Sequence, residues 1–423
     1  MMLTIALFLS CSLNLVISAT VQYNLVYNRA IRSLDGYNKS VILVNGKFPG
    51  PPLRARVGDT VSVVVTNFLM EMEMLSVHWH GIDQRGTPWA DGSAGITNCP
   101  IPYGKNQSYI FKVPESGTFW YHLHIDSRRG DGGYGLLIVD DVTPIATYDA
   151  ELQVILSDFY HQDSDLIQAG LLAYGPTAAT SPATGFTFPG VGQAILVNGL
   201  GKQPVFLDVQ PNKIYRVRIV NAASLGYYNF AIAGHNLTVI SEGATPTVPV
   251  SMRSIDLSAS QRYDFLLSTR NMPIATYQIQ VQSNWRGYDV TAAGLFKTVY
   301  LRYQGSVSMS PAVPYNETKA WNAQISKIKP LMSSPVPTTV TKTIVLDQSQ
   351  QYVDAKTFKG LDYSGANKNG YLRWTINGQS YTFPSTPYLL ASYYQKMDSV
   401  FYPTSSKAVR LELNDVVDVV VQN

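Results

Sequence analysis

The chain has 423 residues, enough for two or three domains each with its own core. Its net charge is only +3, charged residues make up 14%, and no basic run occurs, which argues against a nucleic-acid partner. With 27 Tyr, 31 Gly and 24 Pro against few Lys and Glu, the composition points to sheets joined by turns rather than to helical bundles.

Leu3 to Ile17 is apolar and runs into the small residues Ser18 and Ala19. This is the pattern of a secretory signal peptide over residues 1–19, cleaved near Ala19; because its start lacks a basic residue, a membrane anchor is the competing reading. No later segment is long and apolar enough to span a bilayer, so removal of the signal leaves no membrane attachment. Sequons at Asn38, Asn106, Asn236 and Asn316 fit a glycosylated, extracellular protein. Of the two cysteines, Cys11 lies in the signal, so the mature protein keeps Cys99 alone. An odd cysteine in a secreted protein implies a free thiol, an intermolecular bond or a missing intramolecular partner.

Beyond the signal, alternating apolar runs bounded by turn residues recur and long helical periodicity is scarce. Three runs resemble one another: Val57 to Asn67, Pro211 to Asn221 and Leu413 to Asn423, each a polar turn, a β-branched strand and a closing Asn. Each is preceded by a strand ending on Asn-Gly, at Asn45-Gly46, Asn198-Gly199 and Asn377-Gly378. Three copies of one β-domain are expected. The first covers 20–141 and the second 148–304. A Pro/Ser/Thr-rich linker or long surface loop covers 305–341, and a third copy covers 342–423. In the first copy the closing Asn67 is followed eleven residues later by His78, whereas the third copy stops at the matching Asn423. The third domain is therefore expected to be partial, truncated at its C-terminal end, with open strand edges that predict poor solubility.

Four of the six histidines form two alternating pairs, His78-Trp79-His80 and His122-Leu123-His124. On a strand, residues i and i+2 share a face, so each pair presents two imidazoles side by side, as metal ligands in a sheet protein do. A single pair could be merely structural; two pairs favour a metal. Copper, zinc, iron and nickel all accept such a donor set. His122-Leu-His-Ile-Asp126-Ser127 approaches the H-x-H-x-D-H pattern of metallo-hydrolases but has Ser127 in the last place. A cupin would need a glutamate soon after His80, and none occurs before Cys99. His161 and His235 read as structural, Trp79 and Trp120 as core. Asp91, before Gly92, is either functional or a turn residue.

One pattern uses both pairs. His78-Trp-His-Gly-Ile-Asp-Gln-Arg-Gly-Thr-Pro-Trp-Ala-Asp-Gly92 and Gly117-Thr-Phe-Trp-Tyr-His-Leu-His124 resemble the multicopper oxidases, the laccases and L-ascorbate oxidases, over nearly the whole sequence. Supporting matches are 44–51, 133–139, 156–161 and 234–240. The resemblance implies an all-β fold of tandem cupredoxin-like (plastocyanin-like) β-barrels or sandwiches, two complete and a third partial. By position it implies that His78 ligates a type 2 copper, His80 and His122 one type 3 copper, and His124 the other. Asp91 matches a carboxylate that assists proton delivery as dioxygen becomes water.

Family members add four histidines from their third domain and a type 1 copper on a cysteine and two histidines; none of these residues is present, so type 2 and type 3 ligands are partly present and type 1 ligands absent. The cysteine matching Cys99 commonly bridges to one near the C-terminus. The resemblance thus implies a secreted oxidase that couples one-electron oxidation of a small reductant (a phenol, an enediol or a metal ion) to four-electron reduction of O2. The 423 residues alone are expected to be inactive. The alternative is a non-enzymatic extracellular copper-binding or wall-associated protein; a zinc hydrolase would instead hold one tight zinc. No acidic residue stands just before Ala194 to Gly199, where some relatives carry a substrate-binding carboxylate.

Overall fold

The computed structural model describes residues 18–141, 144–172, 192–283, 296–306, 314, 325–353, 371–395 and 408–422. The apolar segment Leu3 to Ile17, Cys11, the sequon at Asn316 and most of 307–324 lie outside the described residues.

Eight strands open the fold: β1 (Thr20–Ser33), β2 (Asn38–Val44), β3 (Leu53–Arg56), β4 (Thr60–Phe68), β5 (Val77–His80), β6 (Asn106–Lys112), β7 (Gly117–Leu123) and β8 (Tyr134–Asp140). They form two four-stranded sheets, ordered β2-β1-β4-β6 and β3-β8-β7-β5. The alternation in β4 shows why they pack face to face: Val61, Val63 and Val65 are fully buried while Ser62, Val64 and Thr66 retain solvent contact. From the opposite sheet, Trp79, Phe119 and Tyr121 fill the same core.

A six-stranded and a five-stranded sheet follow, enclosing a second core that includes Val217, Ile219, Phe230 and Phe265.

The internal repeat is visible in hydrogen bonds. β1 pairs in parallel with β4, Ala150–Phe159 with Ile214–Asn221, and Lys342–Val353 with Val417–Gln422. At the three Asn-Gly turns the asparagines all sit at φ 50°, followed by glycines at 74°, 81° and 72°. Two successive left-handed residues make the tight hairpin turn that matches strand twist, which explains the dipeptide. Each asparagine also clamps the neighbouring strand. Asn45 Nδ2 donates to Asn24 O and its Oδ1 accepts from Val26 N–H; Asn198 does the same with Gln153 and Ile155, and Asn377 with Val345 and Asp347.

The third copy forms a three-stranded sheet. Its Val419 and Val421 are 56% and 57% exposed, whereas the matching Val63 and Val65 are at 0%, and Val217 and Ile219 at 1% and 0%. Among the described residues, no second sheet covers this face. The segment expected as a linker lies partly along the second unit, where Val248 N–H donates to Lys329 O and Leu331 N–H to Pro246 O. The described helices are short, Ser164–Leu172 and Tyr388–Gln395. None is long and apolar enough to cross a membrane.

The outer face of the β5-β7-β8 sheet meets the second unit. Trp120, Tyr134, Leu136 and Ile138 pack against Ile155, Val220 and Ala222. Beside them Asp264 accepts from Thr118 Oγ1 on β7 (2.5 Å), from Arg216 Nη2 (2.6 Å) and from Arg218 Nη1 (3.1 Å), all fully or almost fully buried.

Candidate metal centre

β5 and β7 run antiparallel side by side, with His78 opposite His122 and His80 opposite Trp120. Because the side-chain period is two, this register puts His78, His80, Trp120 and His122 on one face and sends Trp79 and Tyr121 into the first core. His124 lies just past the end of β7, where its N–H donates to Ser76 O at 2.9 Å. The structure brings ligand nitrogens of His78, His80 and His122 within 4.8 Å of one another. His124 stands at the exposed rim, its ring 5.3 Å from that of His78 and 5.7 Å from that of His122.

The hydrogen bonds select tautomers. His78 Nδ1 donates to Asp91 O at 2.8 Å and His122 Nδ1 donates to Leu123 O at 2.8 Å, because a carbonyl only accepts. Each ring is left with an Nε2 lone pair for an ion, and its orientation is held from behind. His80 Nδ1 and His122 Nε2 lie 3.5 Å apart. With metal–imidazole bonds of about 2.0–2.1 Å, two ligands about 120° apart on one ion are separated by roughly this distance.

Burial and neighbouring positive charge keep three of the donors unprotonated. Burial, then the Arg262 guanidinium and the neighbouring imidazoles, push His80 down to about 3. Burial and Arg129 hold His122 well below the usual histidine range, and burial and His78 lower His124. These three are neutral at physiological pH, the state a metal requires. Asp91 closes the site on the other side. Burial raises its carboxyl, but hydrogen bonding with His78 and the 2.5 Å bond donated by Ser93 Oγ outweigh that, and the group stays ionised below its usual range. Its Oδ1 is 3.4 Å from His78 Nδ1.

Arg129 and Arg262 were not legible as site residues. Arg262 comes from the second unit and donates from Nε to Thr118 O (3.1 Å), while Arg129 lies 5.6 Å over the Trp120 ring. No local motif marks either, and Arg262 reaches the site only through the contact between units. A cleft of about 490 Å³, lined by His122, His124, Arg129, Ser164 and Ser224 among others, gives access from solvent.

The two isolated histidines lie elsewhere. His161 stacks on Tyr37 at 4.0 Å and bonds Asp35 at 2.6 Å; His235 is buried between Ala233 O and the Tyr303 hydroxyl, both at 2.7 Å. Trp79 and Trp120 are both buried. Cys99 is an exposed free thiol, and the sequon residues Asn38, Asn106 and Asn236 are exposed as well.

The multicopper oxidase family pattern matches residues 26–144 and again 151–306. The chain belongs to the multicopper oxidase family. It is 35% identical to an L-ascorbate oxidase of Nicotiana tabacum over 84% of its own length and 63% of that protein, and 33% identical to a laccase of Trametes maxima over 85% and 68%. Among solved structures it is similar to Fet3p, described as a multicopper oxidase that functions in iron import, with a TM-score of 0.80 and 28% identity over 95% of its own length and 72% of Fet3p. It thus spans less than two thirds of the tobacco enzyme's length. The expected all-β architecture and the family resemblance are both borne out. Membership of the multicopper oxidase family implies copper, and the imidazole donors of this face, with the Nδ1 protons of His78 and His122 turned away from the shared space, fit that metal.

Proposed function

We propose that His78, His80, His122 and His124 are the first-domain half of an oxygen-reducing copper centre in a secreted oxidase of laccase or ascorbate-oxidase type. The observation that carries the reading is the convergence of three imidazoles within 4.8 Å on one strand pair. On this reading His78 holds a type 2 copper, His80 and His122 share one type 3 copper, as their 3.5 Å nitrogen separation suits, and His124 serves the other. Bound copper supplies single-electron steps that together reduce dioxygen to water while a small reductant is oxidised. The protein's own residues supply the frame. Leu123 O and Asp91 O orient His122 and His78, and the ionised Asp91 carboxylate, steadied by Ser93, stands ready to accept and pass on a proton at Oδ1. A phenol, an enediol or a metal ion is the reductant class, in keeping with the named activities of the relatives.

We assign 20–141 and 148–304 to two complete cupredoxin-like domains, 305–341 to a connecting loop and 342–423 to a partial third domain, preceded by a signal at 1–19. The bare valine face of the third sheet supports the partial assignment, as does the lone exposed Cys99, which on this reading awaits a disulfide partner.

The only cysteines in these 423 residues are Cys11 and Cys99, and no histidine closely follows Cys99. A polypeptide of just these residues carries neither a type 1 centre nor the other half of the cluster donors. Copper-loaded protein of this sequence is expected to show no thiolate-to-copper absorption, roughly near 600 nm, and no oxygen uptake with a phenol or ascorbate. A blue band accompanied by oxygen uptake would overturn the assignment of this polypeptide as a half-site.

A further inference from the structure

Between β4 and β5 the sequence reads Leu69-Met70-Glu71-Met72-Glu73-Met74-Leu75. Leu69 and Leu75 are buried at 7% and 0%, yet the three methionines keep 55%, 91% and 44% of their surface in solvent. Methionine ordinarily fills gaps in cores, so three exposed thioethers within five residues call for a physical account.

The turn beneath them is firmly held. Glu73 N–H donates to Met70 O at 2.9 Å, Asn67 Nδ2 to Glu73 O at 2.8 Å, and Arg128 Nη1 to Met74 O at 2.7 Å. The buried Glu73 carboxylate is paired with Arg29 at 2.7 Å. Buried Leu69, Glu73 and Leu75 thus anchor the backbone, while Met70, Glu71, Met72 and Met74 are exposed. Such a rigid base lowers the entropy lost when several side chains converge on one ion.

We propose that Met70, Met72 and Met74 form an exposed thioether site for a soft monovalent cation, Cu(I). Thioether sulfur is a soft, neutral donor that favours Cu(I) over zinc, calcium or magnesium, and it has no proton to lose on binding. Glu71 adds a favourable charge nearby. The place of the site gives it a use: Met74 precedes His78 by four residues, at most about 13 Å of extended backbone. An ion captured here passes to the imidazoles by ligand exchange, sulfur donors giving way to nitrogen donors with no electron transferred. That last step rests on the copper reading of the histidines; the binding site itself does not.

The test uses the full 423-residue protein with methyl-labelled methionine and Ag(I), a soft monovalent ion that is not reduced or oxidised here, followed by Cu(I) under anaerobic conditions. The methyl resonances of Met70, Met72 and Met74, assigned with single leucine variants, are expected to shift together at one equivalent of Ag(I). In the His80→Ala/His122→Ala background, the triple variant Met70→Leu/Met72→Leu/Met74→Leu is expected to bind Cu(I) at least tenfold more weakly in chelator competition. His80→Ala/His122→Ala should leave the Ag(I)-induced methyl shifts in place, which separates this site from the histidine centre. Unmoved methyl resonances, or unchanged Cu(I) affinity in the triple variant, would overturn the proposal.

Discussion

Asp264→Ala is expected to destabilise the protein by about 3–5 kcal/mol, the range for removing one partner of a buried ion pair. The carboxylate is fully buried and accepts from two buried guanidiniums and the Thr118 hydroxyl. Truncation strands positive charge where water cannot compensate it. The lower end of the range applies because Arg216 keeps Asp141 at 2.8 Å and Arg218 keeps Glu151 at 2.7 Å. Thr118 lies on β7 four residues before His122, so loss of the network also loosens the strand that carries half the metal face. Denaturant midpoints of the wild type, Asp264→Ala and Asp264→Asn should fall in the order wild type, Asn, Ala. A midpoint for Ala equal to the wild type would show that the two units are held by their apolar contact alone.

Gly92→Ala has a comparable effect through backbone geometry. Gly92 sits at φ 84°, and a Cβ there would stand 1.8 Å from Val77 O and 2.9 Å from His78 N. The obstacle is the entering backbone of β5, which cannot rotate aside as a side chain would. A left-handed penalty of about 1–3 kcal/mol and an overpacking cost of about 1–3 kcal/mol together give roughly 2–6 kcal/mol. Either the loop moves away or β5 shifts; both break the bonds that orient His78 through Asp91 O and tie Ser76 to Gly92 O. Thermal unfolding and copper retention should both fall in Gly92→Ala. Full retention of copper would show that the Asp91-Gly92 turn does not position His78.

These two positions mark where reading the sequence runs out. The alternating histidines, the three Asn-Gly turns and the repeated β-branched strands were legible because each is a local pattern with a fixed period, and the family resemblance they carry is borne out. The Asp-Gly pair signalled a turn, but not that its glycine presses on the strand bearing His78. Arg216 and Arg218 alternate with Tyr215, Val217 and Ile219, a pattern that by itself does not tell a solvent face from a buried one; their burial appears only when the second unit covers the sheet of the first. Arg129 and Arg262, which help hold His80 and His122 neutral, follow no motif, and Arg262 belongs to another unit. His124 shares a dipeptide spacing with His122 but escapes the strand, so period two alone did not place it at the rim.

On the proposed reading, β5 and β7 together hold copper. The direct measurement is the copper-to-protein ratio after exhaustive dialysis of Cu(II)-loaded wild type and His80→Ala/His122→Ala, with circular dichroism to establish that both are folded. Removing two donors from one ion should cost more than the 10–100-fold that loss of a mere supporting contact costs, so roughly a hundredfold or greater loss of affinity is expected. The wild type, with half of the donor set, should hold copper weakly and substoichiometrically, and the double variant should lose it. Equal copper in two folded proteins would contradict the account.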